Sequence, residues 1–151
     1  RRPLAGLISA LASFRRSEAI PILINALGED AVRLAAETAL VSYGSAATSL
    51  LLDAADHFKA RNDLSESQLR KCRSVLALLS EIGVGGREID RLRPLITSAD
   101  TQVSLLACRI ALRSASRSTR ANARVRLMQL RTRVPWLERI QIDHDLASAS
   151  D

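Results

Sequence analysis

Two short apolar helical patterns follow one another between Ala19 and Gly44, and the same pair of patterns recurs along the chain. This repetition constrains the fold more than any other feature of the sequence. Residues 19–27 (Ala-Ile-Pro-Ile-Leu-Ile-Asn-Ala-Leu) read as a short helix with proline near its start and Gly28 at its end. After Glu29 and Asp30, apolar or small residues at 32, 35, 36, 39, 40 and 43 fall at the i, i+3, i+4, i+7 spacing of one helix face. Gly44 then provides a stop, since glycine tolerates a left-handed backbone. Two helices with one apolar face each cannot enclose a core alone, so this pair requires stacked neighbours.

The neighbours are legible by sliding the sequence over itself. A shift of 29 residues sets Gly6, Leu7, Ala10, Leu11 and Phe14 on Ala35, Ala36, Ala39, Leu40 and Tyr43. A shift of 39 sets Ser74, Val75, Leu78, Leu79, Ile82 and Gly83 on Ala35, Ala36, Ala39, Leu40, Tyr43 and Gly44. A shift of 72 brings Ala107, Cys108, Ala111 and Leu112 onto Ala35, Ala36, Ala39 and Leu40, and Leu92, Leu95 and Ile96 onto Ile20, Leu23 and Ile24. The period of about 36 lies in the ~33–47 range of helical solenoid repeats.

The stretch from Ala19 to Gly44 resembles the HEAT repeat of the phycobilisome-lyase type. The residues that carry the resemblance are Ala19-Ile20-Pro21, Leu23-Ile24, Ala26-Leu27, Glu29-Asp30, Val32-Arg33, Ala35-Ala36 and Ala39-Leu40. It implies a right-handed α-α superhelix whose second helices line a concave binding surface, and a contact between Asp30 and Arg33. Outside this stretch the match thins. Cys72 and Leu105 stand at the Arg33 position, and Pro94 is one residue away from where Pro21 would place it. The lyase activity does not transfer with the pattern, because a fold does not determine a function.

The fold expected is therefore all-α, a HEAT-like solenoid of about four helix pairs with its first repeat incomplete. Residues 3–15 read as the second helix of a repeat whose first helix is missing, as in a chain excised from a longer solenoid or opened by a capping helix. Pairs follow at 18–27 with 31–43, 46–60 with 66–82 and 87–98 with 102–115, then a helix at 117–132 and a weaker one near 135–146. The polar stretch 58–68 is the expected loop insertion, and 1–151 is read as one domain.

Composition supports this class. Aromatics are 3% and small or aliphatic side chains dominate, which suits closely packed helices better than a sheet. No run approaches the ~20 apolar residues of a bilayer-spanning helix. The apolar stretch Leu4–Ala12 superficially resembles the core of a signal peptide, but it aligns with the internal repeat. Cys72 and Cys108 form no disulfide framework and read as packed, reduced thiols in a cytoplasmic protein.

Charge is uneven. Of 22 basic residues, 20 are Arg. Residues 1–108 are nearly balanced at net +1, residues 109–139 carry nine Arg against one Glu, and the tail beyond them holds only Asp. Arg109, Arg113, Arg117, Arg120, Arg124, Arg126, Arg131, Arg133 and Arg139 make one basic end. Such an end can be a solvated outer face, a dock for an acidic protein, or a phosphate-binding patch. Base stacking has little to work with, since only Phe14, Tyr43, Phe58 and Trp136 are aromatic and three of them occupy positions that look packed.

Catalytic patterns are absent. His57 follows Asp53 and Asp56, and His144 lies between Asp143 and Asp145, but neither has the paired-His spacing of a zinc site. Neither cysteine has an assignable His partner. Gly83-Val84-Gly85-Gly86 lacks the Lys-Ser/Thr pair of a phosphate-binding loop and reads as an interhelical turn. The chain is therefore read as a non-enzymatic module without metal or cofactor that binds a polypeptide along its concave face. The non-core positions of the second helices are Arg33 and Glu37, Arg73 and Leu76, and Arg109 and Arg113, with Arg117, Arg120 and Arg124 extending the basic end. Nucleic-acid binding through the Arg-rich end is the alternative, and a bilin-lyase-like or chaperone role stands behind it.

Overall fold

The computed structural model describes residues 17–59, 61 and 63–149, together with Gly6, Ile8 and Ala10. Among these residues the chain is all-helical, with no strand. Seven α-helices run in order: α1 (Ala19–Ala26), α2 (Arg33–Tyr43), α3 (Thr48–Asp56), α4 (Glu66–Ile82), α5 (Thr101–Ala111), α6 (Arg117–Arg131) and α7 (Trp136–Ser148). Two 3₁₀ segments, Gly44–Ala47 and Glu88–Leu95, stand between α2 and α3 and between α4 and α5. Of the helix expected over 3–15, only Gly6, Ile8 and Ala10 are described. All three are helical and Ile8 is buried. Leu4, Leu7, Leu11 and Phe14 lie outside the described residues.

The chain forms two compact units, Arg1–Gly83 and Val84–Asp151. In the first, α1 packs on α2, α2 on α4 and α3 on α4. The apolar faces legible in the repeat meet there: Ile20, Leu23, Leu27, Ala36, Leu40, Leu51, Leu52, Val75 and Leu79 are essentially inaccessible to solvent. Pro21 is tolerated because it occupies the first turn of α1, where an amide would have no intrahelical acceptor. Gly44 and Gly83 close α2 and α4 with φ of 59° and 101°, a region that side chains with Cβ rarely adopt. At its start α4 is fixed by a reciprocal cap: the Gln68 amide donates to Ser65 Oγ, and Gln68 Oε1 accepts from the Ser65 amide.

In the second unit, α5 packs on the Glu88–Leu95 segment and on α6, and α6 packs on α7. The expected α-helix over 87–98 is instead a 3₁₀ helix containing Pro94. The physical difference from α1 is the position of proline. Pro21 opens its helix, whereas Pro94 comes late, where its ring would collide with the Asp90 carbonyl of an α-helix and no amide is offered. Asp100 and Ser116 cap α5 and α6 by accepting from the Val103 and Thr119 amides. The expected helix 102–115 ends at Ala111, so Arg113 lies in the turn that follows.

Candidate interaction surface

The residues singled out by the repeat pattern fall into three groups. The first is tied up within the chain. Arg33 donates through Nε to the Leu27 carbonyl at 3.1 Å, closing the end of α1, and pairs with Asp30. Arg70 reaches the other Asp30 oxygen at 2.8 Å, so this carboxylate joins the α1–α2 turn to α4. The two guanidiniums, Arg33 foremost, hold the Asp30 pKa below the ordinary carboxylate value. Glu37 accepts from Ser74 Oγ at 2.7 Å, and Arg73 pairs with Glu66 at 3.4 Å. Arg109 holds Asp145 at 2.9 Å. Arg120 donates to the Ser114 carbonyl at 2.7 Å, and Arg124 donates to the Ala149 carbonyl.

The second group is a correction. Leu76 was expected among the outward positions of the second helices, but it is fully buried in α4. Its helix face carries Cys72, Val75 and Leu79, all inaccessible, and Leu76 completes that stripe. The third group is Arg117, exposed at the first position of α6; Arg113, in the turn after α5, is also largely exposed but is not without a partner.

The basic end thus has an internal structure invisible in a charge count. Arg131 grips Asp143 with two nitrogens, at 2.6 and 3.0 Å, and its carbonyl accepts from Arg139 Nε at 3.2 Å. Asp143 is consequently held below the usual carboxylate pKa, by the Arg131 hydrogen bonds first. Arg126 enters the core: its Nε donates to Ser104 Oγ at 2.9 Å and its Nη2 to the Ser98 carbonyl at 3.1 Å. Ser104, fully buried, donates its own hydrogen bond to the Ile96 carbonyl at 2.5 Å. Arg117 and Arg133 are exposed and join no described carboxylate.

A hydroxyl-lined acid organises the same end. Asp90 Oδ1 accepts from Ser114 Oγ and Thr119 Oγ1, each at 2.8 Å, and these two donors lower its pKa. Close by, the Gly86 carbonyl accepts from the Ala115 amide at 3.0 Å. A Cβ on Gly86 would stand 3.2 Å from Ala115, so a side chain here would press the two backbones apart by a few tenths of an ångström. The Gly85-Gly86 turn presents a carbonyl to its neighbour rather than a ring of amides to an anion.

Outward-facing apolar side chains are the feature that sequence reasoning missed. On α6 the stripe Arg117, Ala121, Val125 and Met128 is exposed, and on α7 Trp136, Leu137 and Ile140 are exposed. Helical spacing places the members of each stripe on one side of its helix, but no repeat alignment covers these two helices to say which side packs. In the first unit, a cavity of about 220 Å³ lies among Pro21, Ile24, Leu50, Ala54 and Phe58, with Asn25, Asp53, His57 and Lys71 among its lining. Among the described residues no three His, Cys, Asp or Glu are grouped to hold a metal ion. Cys72 and Cys108 are free and buried, and burial pushes the Cys108 thiol up to about 12. No described helix is long and apolar enough to cross a membrane.

No family model, curated protein or solved structure matches the chain.

Proposed function

We propose that this chain is a non-enzymatic interaction module, a right-handed HEAT-like superhelix that holds an acidic, amphipathic polypeptide segment. The observation that carries the reading is the outer stripe of α6. Arg117, Ala121, Val125 and Met128 recur at helical spacing on the side opposite Thr119, Ala123, Leu127 and Leu130, which are buried. Such a face offers an apolar ridge with a cation at its end, the combination enriched in protein interfaces. The repeat spacing in the sequence supports the superhelix, and the buried, reduced cysteines suit the cytoplasm. The strip of second-helix residues contributes less, because Arg33, Glu37, Arg73 and Arg109 already have partners within the chain.

Fluorescence anisotropy tests the reading with two probes, a Glu- and Leu-patterned helical peptide and a single-stranded oligonucleotide, at about 0.15 M salt. Binding of the peptide, weakened at least about tenfold by Arg117→Glu, is the expected result. Peptide affinity indifferent to Arg117→Glu would reject this surface. Sub-micromolar binding of oligonucleotides of any sequence would instead favour the phosphate backbone as the ligand.

A further inference from the structure

We infer that the outer face of α7 is a self-association surface on which two copies of the chain pair antiparallel. The helix is apolar on two sides. Ile142 is buried and Leu146 half-buried on the inner side, which packs on α6. On the opposite side Trp136, Leu137 and Ile140 are 68%, 66% and 55% exposed. At 3.6 residues per turn, these three share one stripe with His144 and Ala147. A helix apolar on both faces belongs between two neighbours, and α7 has a neighbour on one.

The charge pattern of the segment selects a second copy as that neighbour. Asp143 and Asp145 are held by Arg131 and Arg109 within the chain and Arg139 by the Arg131 carbonyl, so the charge left beside the stripe is the exposed Arg133 just before α7. A two-fold axis passing near Ile140 runs the two α7 helices antiparallel, so the start of one stripe meets the end of the other. It places Trp136 opposite the second copy's His144, and it brings the exposed Arg133 to the carbonyl end of the second α7, where a cation is favoured. A parallel pair would instead stack Arg133 on Arg133. An exposed aromatic of this size offers most of the ~150–250 Å² such a side chain can bury. With Leu137, Ile140 and Ala147 from both copies, the covered area is on the order of 1,000 Å², the lower bound for specific association, so the dimer is a weak one.

Sedimentation of the full chain from about 5 to about 500 µM, at about 0.15 M salt, reads the proposal directly. The mass should rise from monomer toward dimer. Over the same range the emission of Trp136, the single tryptophan, should shift to the blue. Ile140→Glu should stay monomeric with an unchanged far-UV spectrum, since the side chain it alters is exposed. It should also leave peptide binding through the α6 stripe intact, which separates this surface from the proposed function. Ile140→Cys should cross-link to itself on oxidation whereas Leu34→Cys should not; native Cys72 and Cys108 are buried and do not compete. A chain that remains monomeric at the highest concentration overturns the inference. So does a dimer that survives Ile140→Glu and yields no cross-link through residue 140.

Discussion

Ser104→Ala is the sharpest probe of how the basic end is built into the core. The hydroxyl is fully buried and works in both directions, donating to the Ile96 carbonyl at 2.5 Å and accepting from Arg126 Nε at 2.9 Å. Its removal forfeits one neutral and one charge-assisted hydrogen bond and leaves a buried carbonyl short of a donor. An ordinary bond contributes about 1 kcal/mol and an unsatisfied buried group costs about 1–3 kcal/mol. Alanine returns about half a kcal/mol through its higher helix propensity within α5. Arg126 keeps its bond to the Ser98 carbonyl, which limits the loss. The net destabilisation is about 2 kcal/mol, a fall in Tm of roughly 4–8 °C for a chain of this length. Urea unfolding of Ser104→Ala, Arg126→Met and the double variant measures it, with a coupling of about 1 kcal/mol between the two sites. A Ser104→Ala variant within about 0.5 kcal/mol of wild type would refute the view that Arg126 is a structural residue anchored through this hydroxyl.

Three further outcomes concern the packing of α2 and the carboxyls with lowered pKa. Ala36→Leu, at a fully buried position of α2, should lose about 1–3 kcal/mol by overpacking, while Leu34→Ala on the exposed side of the same helix should stay within about 0.5 kcal/mol; equal effects in thermal melts would invert the assigned face. The carboxyls of Asp30, Asp90 and Asp143 all have lowered pKa values, so their stabilisation is fully present above the unfolded value of about 3.9 and is lost as pH falls below it through their folded values. Arg131→Gln should raise the Asp143 pKa toward the ordinary value, and an unchanged carboxyl titration by NMR would show that the bidentate pair does not form in solution.

Helices were legible where periodicity and punctuation agreed. The pattern at 32, 35, 36, 39 and 40 became α2, and the stops at Gly44 and Gly83 fall where φ is positive. Burial at Ala36, Leu40, Val75, Leu79, Ala107 and Cys108 follows the aligned repeat positions. The Glu88–Leu95 segment was misread because hydrophobic spacing at Ile89, Leu92, Leu95 and Ile96 serves a 3₁₀ helix nearly as well as an α-helix over two turns. Leu76 was misplaced for a related reason. Repeat alignment fixes which positions correspond but not how wide a buried arc each helix has, and α4, packed on by both α2 and α3, is buried over a wider arc than an edge helix. The Asp30–Arg33 contact implied by the resemblance is present, because a three-residue spacing across a tight turn leaves few other partners in reach.

The basic end shows why a charge count is a poor guide to a binding surface. Nine arginines between 109 and 139 suggest a broad cationic face, yet Arg109 and Arg131 are matched by aspartates of α7, and Arg120, Arg124, Arg126 and Arg139 are oriented by carbonyls or a buried hydroxyl. Guanidinium suits this use: its planar array of donors can satisfy several acceptors at once while its stem covers apolar surface. Those held by carbonyls remain charged, so the end still attracts anions at long range, but the side chains free to close on a ligand are fewer and sit beside apolar residues. Arg117 stands at the start of the stripe that carries Val125 and Met128, and Arg133 leads into Trp136. A polyanion with no apolar component would leave those ridges exposed, whereas a helix, from another protein on α6 or from a second copy on α7, covers ridge and cation together.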